Sequence, residues 1–320
     1  MDTLENYIQQ INRHFREQEN RYKAHELCKP LLLEMAKDPG ILYQIIAKNL
    51  SEPGFLSKKR DNPVIRLDID ENETLTFVAH CWLPLPDRRS DLTHQSIHHH
   101  GKLLLTSVSA WGPGYESVIF QKGFTIDKTA GTASMKPDKI YRNHLHNIEF
   151  IDTDTPHVVF YPADVSITYA LWSNAESTAS ENIKKIGFVN RYKKQLRKVI
   201  DAVGAAKLLG LNTNEYLDFY PENGKIIAMK DRVKYAPGSN QSFVNSFFHL
   251  LQQTGYTNFS SIANSIAGLP AAQRPVPAAL LAKLRSGEKI SDEFDTAQMN
   301  IPHVNFERET LMRSITKTEI

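Results

Sequence analysis

THQSIHHHGKLLLTSVSAWGPGYESVIF occupies residues 93–120. Three consecutive histidines, His98, His99 and His100, stand between the β-branched Ile97 and the apolar run Leu103, Leu104 and Leu105, a composition that predicts an extended segment. Along a strand, side chains at i and i+2 share a face. His98 and His100 are then expected to point together, about 6–7 Å apart by the roughly 3.3 Å rise per residue, with His99 on the opposite face. Two imidazoles so placed can converge on one metal ion. The apolar flanks argue against the other source of such a run, an exposed histidine tract with adventitious metal affinity.

A third ligand has to come from elsewhere. Residues 148–173, IEFIDTDTPHVVFYPADVSITYALWS, pass from a short apolar strand through the polar turn 152–155 into a second strand opening at Pro156-His157. His157 is the preferred third ligand. His144 and His146, in RNHLHNIEF, make a second His-x-His pair and remain the alternative.

These residues resemble the cupins, small β-barrels whose first motif carries a His-x-His pair and whose second motif supplies one more histidine just after a strand and turn. The match is to His98-x-His100 and to the turn before His157, with the tight turn Gly112-Pro113-Gly114 falling where such barrels place a hairpin. It covers residues 64–173, about a third of the chain. Many cupins add a glutamate three or four residues after the pair, where this chain has Leu104 and Leu105. The next acid, Glu116, lies past the turn and is expected to be solvated or paired rather than a ligand. Three histidines without the carboxylate look like the cysteine-dioxygenase branch, which holds ferrous iron in this way. That branch also carries a His and a Tyr on a later strand; the comparable strand here offers Tyr169 and Trp172 and no histidine.

The rest of the chain sets the context. At 320 residues it is long for one small barrel and suits a barrel with helical additions. A content of 41% hydrophobic and 23% charged residues is that of an ordinary globular protein. No run approaches the ~18 apolar residues of a membrane span, and the first residues lack a basic and an apolar signal region, so a cytoplasmic location and no membrane partner are expected. Cys28 and Cys81 are the two cysteines and give no disulfide framework. A net charge of +2 gives no global preference for nucleic acid.

Residues 1–55 show helical periodicity, with Leu4, Tyr7, Ile8 and Ile11 on one stripe, a second helix from about Ala24 to Ala36, a break at Asp38-Pro39-Gly40 and a third helix over 41–50. They are expected to pack on a barrel, with a separate interaction module as the alternative. Residues 56–180 are the expected barrel, opening on a hairpin of 64–69 and 74–82. The loop LPLPDRRSD carries Arg88 and Arg89, either of which can grip a substrate carboxylate bidentately. Tyr115 and Tyr169 are the phenols expected near a substrate. The polar stretch SNAESTASE, 173–181, marks a boundary, and 181–320 is expected to be a helical C-terminal region. Its basic helix over 188–203 reads as a solvated amphipathic face, since it lacks the aromatic interleaving of a nucleic-acid surface.

The expectation is therefore an α+β fold: a cupin-type antiparallel jelly roll with N-terminal helices and a helical C-terminal region. Its metal ligands are His98, His100 and His157, and its catalytic candidates are Tyr115, Tyr169 and Arg88. The resemblance implies a non-haem Fe(II) dioxygenase acting on a small anionic organic substrate with dioxygen. Zinc, manganese or nickel supporting a redox-neutral hydrolase, isomerase or lyase is the alternative, and a ligand-binding sensor without catalysis the third reading. A homodimer is compatible with each.

Overall fold

The protein is described by a computed structural model covering residues 3–59, 64–84, 97–174, 218–222, 225–229 and 239–290. Helix α1 (Leu4–Glu17) begins at Thr3, whose side chain accepts from the backbone N–H of Asn6, and buries Leu4, Tyr7, Ile8, Ile11 and Phe15, the stripe that its periodicity predicts. Helix α2 (Arg21–Lys37) is capped by Asn20, and α3 (Pro39–Ser51) by Asp38, whose Oδ1 accepts from the Gly40 N–H at 2.8 Å. The Asp-Pro-Gly break is thus also a start signal, with Pro39 in a first turn that needs no N–H from it. Later in the chain come α4 (Asn240–Gln253), α5 (Phe259–Ala267) and α6 (Pro275–Ser286).

Among the described residues the strands form two antiparallel sheets. The first contains β1 (Val64–Glu71), β2 (Leu75–Trp82), β4 (Leu103–Trp111), β9 (Ile148–Ile151) and β11 (Ser166–Asn174), in the order β1-β2-β11-β4-β9. The second contains β3 (Ile97–His98), β5 (Tyr115–Phe120), β6 (Thr125–Asp127), β7 (Thr132–Ser134), β8 (Pro137–Asn143), β10 (His157–Val159), β12 (Asp218–Glu222) and β13 (Lys225–Met229), in the order β6-β7-β13-β12-β3-β10-β5-β8. This is the expected α+β class: a jelly-roll-type double sheet with helices from both ends of the chain.

Strand alternation assigns each residue of the first sheet to one of two faces. Leu67, Phe77, Ala79, Cys81, Ile167, Tyr169 and Leu171 join the buried residues of α1–α5 in one core. Each large side chain taken out of water there contributes about 1.5–3 kcal/mol. The intervening residues, His80 and Trp82 on β2, Thr168, Ala170 and Trp172 on β11, Leu105 and Ser107 on β4, and Glu149 and Ile151 on β9, line a cavity shared with the second sheet. The far face of the second sheet is closed by Ile97, Val118, Phe120, Val158, Phe160 and Phe219.

Two expectations change. The segment 97–105 is not one strand: Gly101, at φ +60°, turns the chain after β3, and its N–H donates to His99 Nδ1 at 3.0 Å. β3 and β4 consequently lie in different sheets, and the histidine run sits where the chain crosses from one to the other. Nor is everything described beyond residue 181 helical. β12 and β13 pair as a hairpin, Glu222 opposite Lys225, and β12 hydrogen-bonds to β3. The Asn-Gly at 223–224, a strong short-range hairpin signal, could have found it. The boundary near residue 180 and the basic helix over 188–203 lie outside the described residues.

Candidate metal centre

His98 and His157 occupy opposing positions in the antiparallel β3/β10 pair. Their inward direction follows from alternation: Ile97 and Val158 face the outer apolar layer, while His98, His157 and Val159 face the cavity. His100 reaches the same point from the turn after β3, and the Leu103 N–H donating to the His100 carbonyl at 3.2 Å fixes that turn. A second tie joins the two histidine-bearing turns, since the Asp154 N–H donates to the Gly101 carbonyl at 2.7 Å.

The three rings lie close, with centroids 4.4 Å apart for His98–His157, 4.7 Å for His100–His157 and 5.3 Å for His98–His100. One ring nitrogen from each can be chosen so that all three lie within 4.8 Å of one another, close enough to share an ion. His99 goes the other way, fully buried with its ring 5.2 Å from Phe124 and 6.1 Å from Phe219. The same-side, opposite-side expectation for the run holds, although a turn rather than a continuous strand delivers His100.

The donor set fits a divalent metal. His157 Nδ1 lies 3.0 Å from the Thr155 carbonyl oxygen, to which it donates in the tautomer that turns Nε2 towards its neighbours. Burial is the main cause holding the His157 pKa down to about 4, so its imidazole is neutral and a lone pair is available at neutral pH. His144 is exposed and His146 half-buried on the loop after β8, and neither is part of this group.

Glu116 faces away from the cavity, between inward-facing Tyr115 and Ser117 on β5, and pairs with Arg142 at 3.2 Å. Tyr115 lines the cavity; burial pushes its phenol up to about 12, against the pull of the Asn143 and Thr168 side chains beside it. Tyr169 does not line the cavity. Its neighbours Thr168 and Ala170 take the inward positions of β11, and Tyr169, 1% exposed, is packed in the helix-side core. Its expected place beside a substrate is corrected on that ground. Arg88 and Arg89 lie outside the described residues.

Other cavity residues were not singled out from sequence. Glu149, 6% exposed, stands beside the phenols of Tyr115 and Tyr141, and burial raises its carboxyl pKa against the pull of Lys139. Lys139 Nζ is 3.2 Å from Glu149 Oε1 and is itself half-exposed. The Tyr141 hydroxyl is buried without a hydrogen-bond partner among the described residues. Trp82, Trp172 and His80 complete the wall, with Trp82 donating through Nε1 to Thr168 Oγ1 at 3.0 Å. The signal available for Glu149 was the alternation of IEFI, which puts Glu149 and Ile151 on the face opposite Phe150.

No family model matches the chain, and no curated protein matches its sequence. Solved structures that resemble it include a protein with a double-stranded β-helix domain from Klebsiella pneumoniae, 13% identical over 37% of this chain and 84% of that one, with a TM-score of 0.23. An RmlC-like cupin from Methanocaldococcus jannaschii is 8% identical over 37% and 86%, TM-score 0.22. The DMSP lyase DddQ from Ruegeria pomeroyi is 10% identical over 36% and 49%, TM-score 0.24. No described helix is long and apolar enough to cross a membrane.

Proposed function

We propose that the chain is a metal-dependent enzyme of cupin type that acts on a small organic molecule in the cavity between its two sheets. In this reading His98, His100 and His157 hold one Fe(II), and the substrate is a small anionic molecule oxidised by dioxygen. The observation that carries it is the convergence of three imidazoles, within 4.8 Å of one another, on the wall of a cavity lined by aromatic and polar side chains. A metal bound by three neutral nitrogens keeps positions open for substrate and, as iron, supplies oxygen chemistry; a closed structural site would need a fourth protein ligand.

The chain's own residues do the rest. The Thr155 carbonyl fixes the His157 ring, and the apolar layers behind both sheets keep bulk water out. Tyr115 and Tyr141 offer phenolic protons to a bound molecule, and Glu149 can take a proton or give one back. That buried carboxylate is the specific observation favouring a second reading, a redox-neutral hydrolase, isomerase or lyase using zinc, manganese or nickel at the same ligands, because acid–base work needs such a group and electron transfer to oxygen does not.

The deciding experiment loads metal-free protein anaerobically with Fe(II), Mn(II), Ni(II) or Zn(II). Thiols, amino acids and hydroxylated aromatics are then screened for oxygen uptake and product. Oxygen consumption confined to the iron form supports the dioxygenase. Turnover that is equal with zinc and independent of oxygen replaces it with the redox-neutral enzyme.

A further inference from the structure

We infer that the wall formed by Trp82, Trp172, Tyr115 and Glu149 binds a small organic cation of the methylated-ammonium type, so that the molecule taken by the cavity is a zwitterion whose anionic end lies towards the three histidines. The inference rests on the enzymatic reading for the anionic end alone; the cation site stands on residues that are not ligands. Trp82 and Tyr115, from opposite sheets, have ring centroids 4.8 Å apart at 51°. His80 links them to Trp172, with centroid distances of 5.8 Å to Trp82 and 5.0 Å to Trp172. Two indoles and a phenol line one small space, and the faces of such rings hold quaternary ammonium groups.

Charge points the same way. Among the described residues that line the cavity there is one carboxylate, Glu149, and neither lysine nor arginine. Lys139 pairs with Glu149 at 3.2 Å and has 53% of its own side chain exposed. Burying a permanent cation is costly unless it is matched, and Glu149 together with the aromatic side chains of the cavity supplies that match. Position completes the argument. Trp172 stands 6.0 Å, centroid to centroid, from His100 and reaches the aromatic wall through His80, so one short molecule can touch the histidines and the rings together. The cavity, about 80 Å³, suits a headgroup of a few heavy atoms.

The test uses the full chain, metal-free and then metal-loaded, at pH 8, where an ordinary histidine is neutral. Tetramethylammonium chloride is compared with tert-butanol, which is close in size and uncharged, by calorimetry and by ligand-observed NMR. Saturable binding of tetramethylammonium, at least about fivefold tighter than tert-butanol, is expected from a desolvated cation–π site. Glu149→Gln and Trp82→Leu should each weaken it about fivefold or more, while Trp82→Phe keeps most of it. If Trp82→Leu does not fold, Glu149→Gln, which keeps the size of the side chain, carries the test. Equal binding of tert-butanol, no saturable binding of tetramethylammonium, or an unchanged Glu149→Gln variant would overturn the inference. Metal content measured on the same preparations separates the two proposals: cation binding without metal retention overturns the metal site alone, and metal retention without cation binding overturns the cation site alone.

Discussion

His98 and His157 stand directly opposite each other across the antiparallel β3/β10 pair, their rings 4.4 Å apart at 58°. Backbone hydrogen bonding sets this juxtaposition, so each histidine is placed before any metal arrives. Alanine at His98, His100 or His157 should each remove most of the metal, a loss beyond the 10–100-fold typical of residues that merely support a ligand. His99→Ala should lose stability, because its ring is buried against Phe124 and Phe219, yet keep one ion per chain. Metal analysis after gel filtration reads both; full occupancy in the His98 and His157 variants would sink the assignment.

Glu116 offers the converse control. It pairs with Arg142 at 3.2 Å on the face turned from the cavity. Glu116→Gln should leave metal affinity within about threefold, far from the loss that follows removal of a supporting residue. Stability should fall by no more than about 1 kcal/mol, the range of an exposed ion pair. Competition with a chelator measures the first quantity and urea unfolding the second.

The two phenols expected near the substrate should separate in function. Tyr115 lines the cavity and Tyr169 lies in the helix-side core. In whichever metal form turns over, Tyr115→Phe should lower the rate by roughly 100-fold, the lower end for a positioned proton donor. Tyr169→Phe should stay close to the parent rate. Equal losses in the two variants would argue that neither phenol touches the reacting molecule.

Acid should destabilise the protein through a residue on the helix side of the five-stranded sheet. His25, fully buried, lies 2.8 Å from Thr106 Oγ1 and 2.7 Å from Ser173 Oγ. Burial, then the nearby charges of Arg21 and Lys29, lower its pKa from 6.5 to about 3. Between those values the unfolded chain binds the proton and the folded chain does not, so the stabilisation is fully present above pH 6.5 and is lost as pH falls towards 3. At pH 5 the loss from this one group should be about 2 kcal/mol. His25→Asn should be less stable at pH 7.5 but should lose about 2 kcal/mol less than the parent between pH 7.5 and pH 5. Urea midpoints at the two pH values decide it.

The turn before Tyr115 is under a different constraint. Gly114 has φ +78°, and a Cβ there would lie 1.6 Å from the Asn143 carbonyl oxygen. Gly131, at φ +64°, has nothing within 4 Å of the same position. Gly131→Ala should cost about 1–2 kcal/mol for the left-handed backbone alone. Gly114→Ala should cost more, because β5 must also move away from β8. Similar costs for the two variants would show that the turn is more compliant than its close approach implies.

Much of this was legible in sequence where a local rule acts alone. The stripe of α1, the Asp38 break, the Gly112–Gly114 turn and the shared side of His98 and His100 each follow from spacing of a few residues, whereas His157, expected from the resemblance to cupins, joins them through the long-range β3/β10 pairing. What was hidden depends on pairing over long separations. Nothing near Tyr169 in the chain says which face of β11 meets the helices; that choice is made by β2 and β4 on either side, through Ala79 and Val108 opposite it. Glu149 was hidden for the same reason, since its neighbours in the cavity come from β5 and β8. The β12/β13 hairpin joins β3 across more than a hundred residues, a separation no periodicity reports.

Alternation in the five-stranded sheet has an evolutionary consequence. Positions 80, 82, 168, 170 and 172 border the cavity, while 77, 79, 81, 167, 169 and 171 anchor the helices. Selection can therefore exchange the first set to retune which molecule is accepted while leaving the second set, and with it the scaffold, untouched. A directed library confined to those five cavity positions should yield folded variants far more often than one drawn from the interleaved six. A single-residue deletion in β11 would do the reverse, turning Tyr169 into the chamber and Thr168 against the helices, so insertions and deletions there should be purged even where substitutions are accepted.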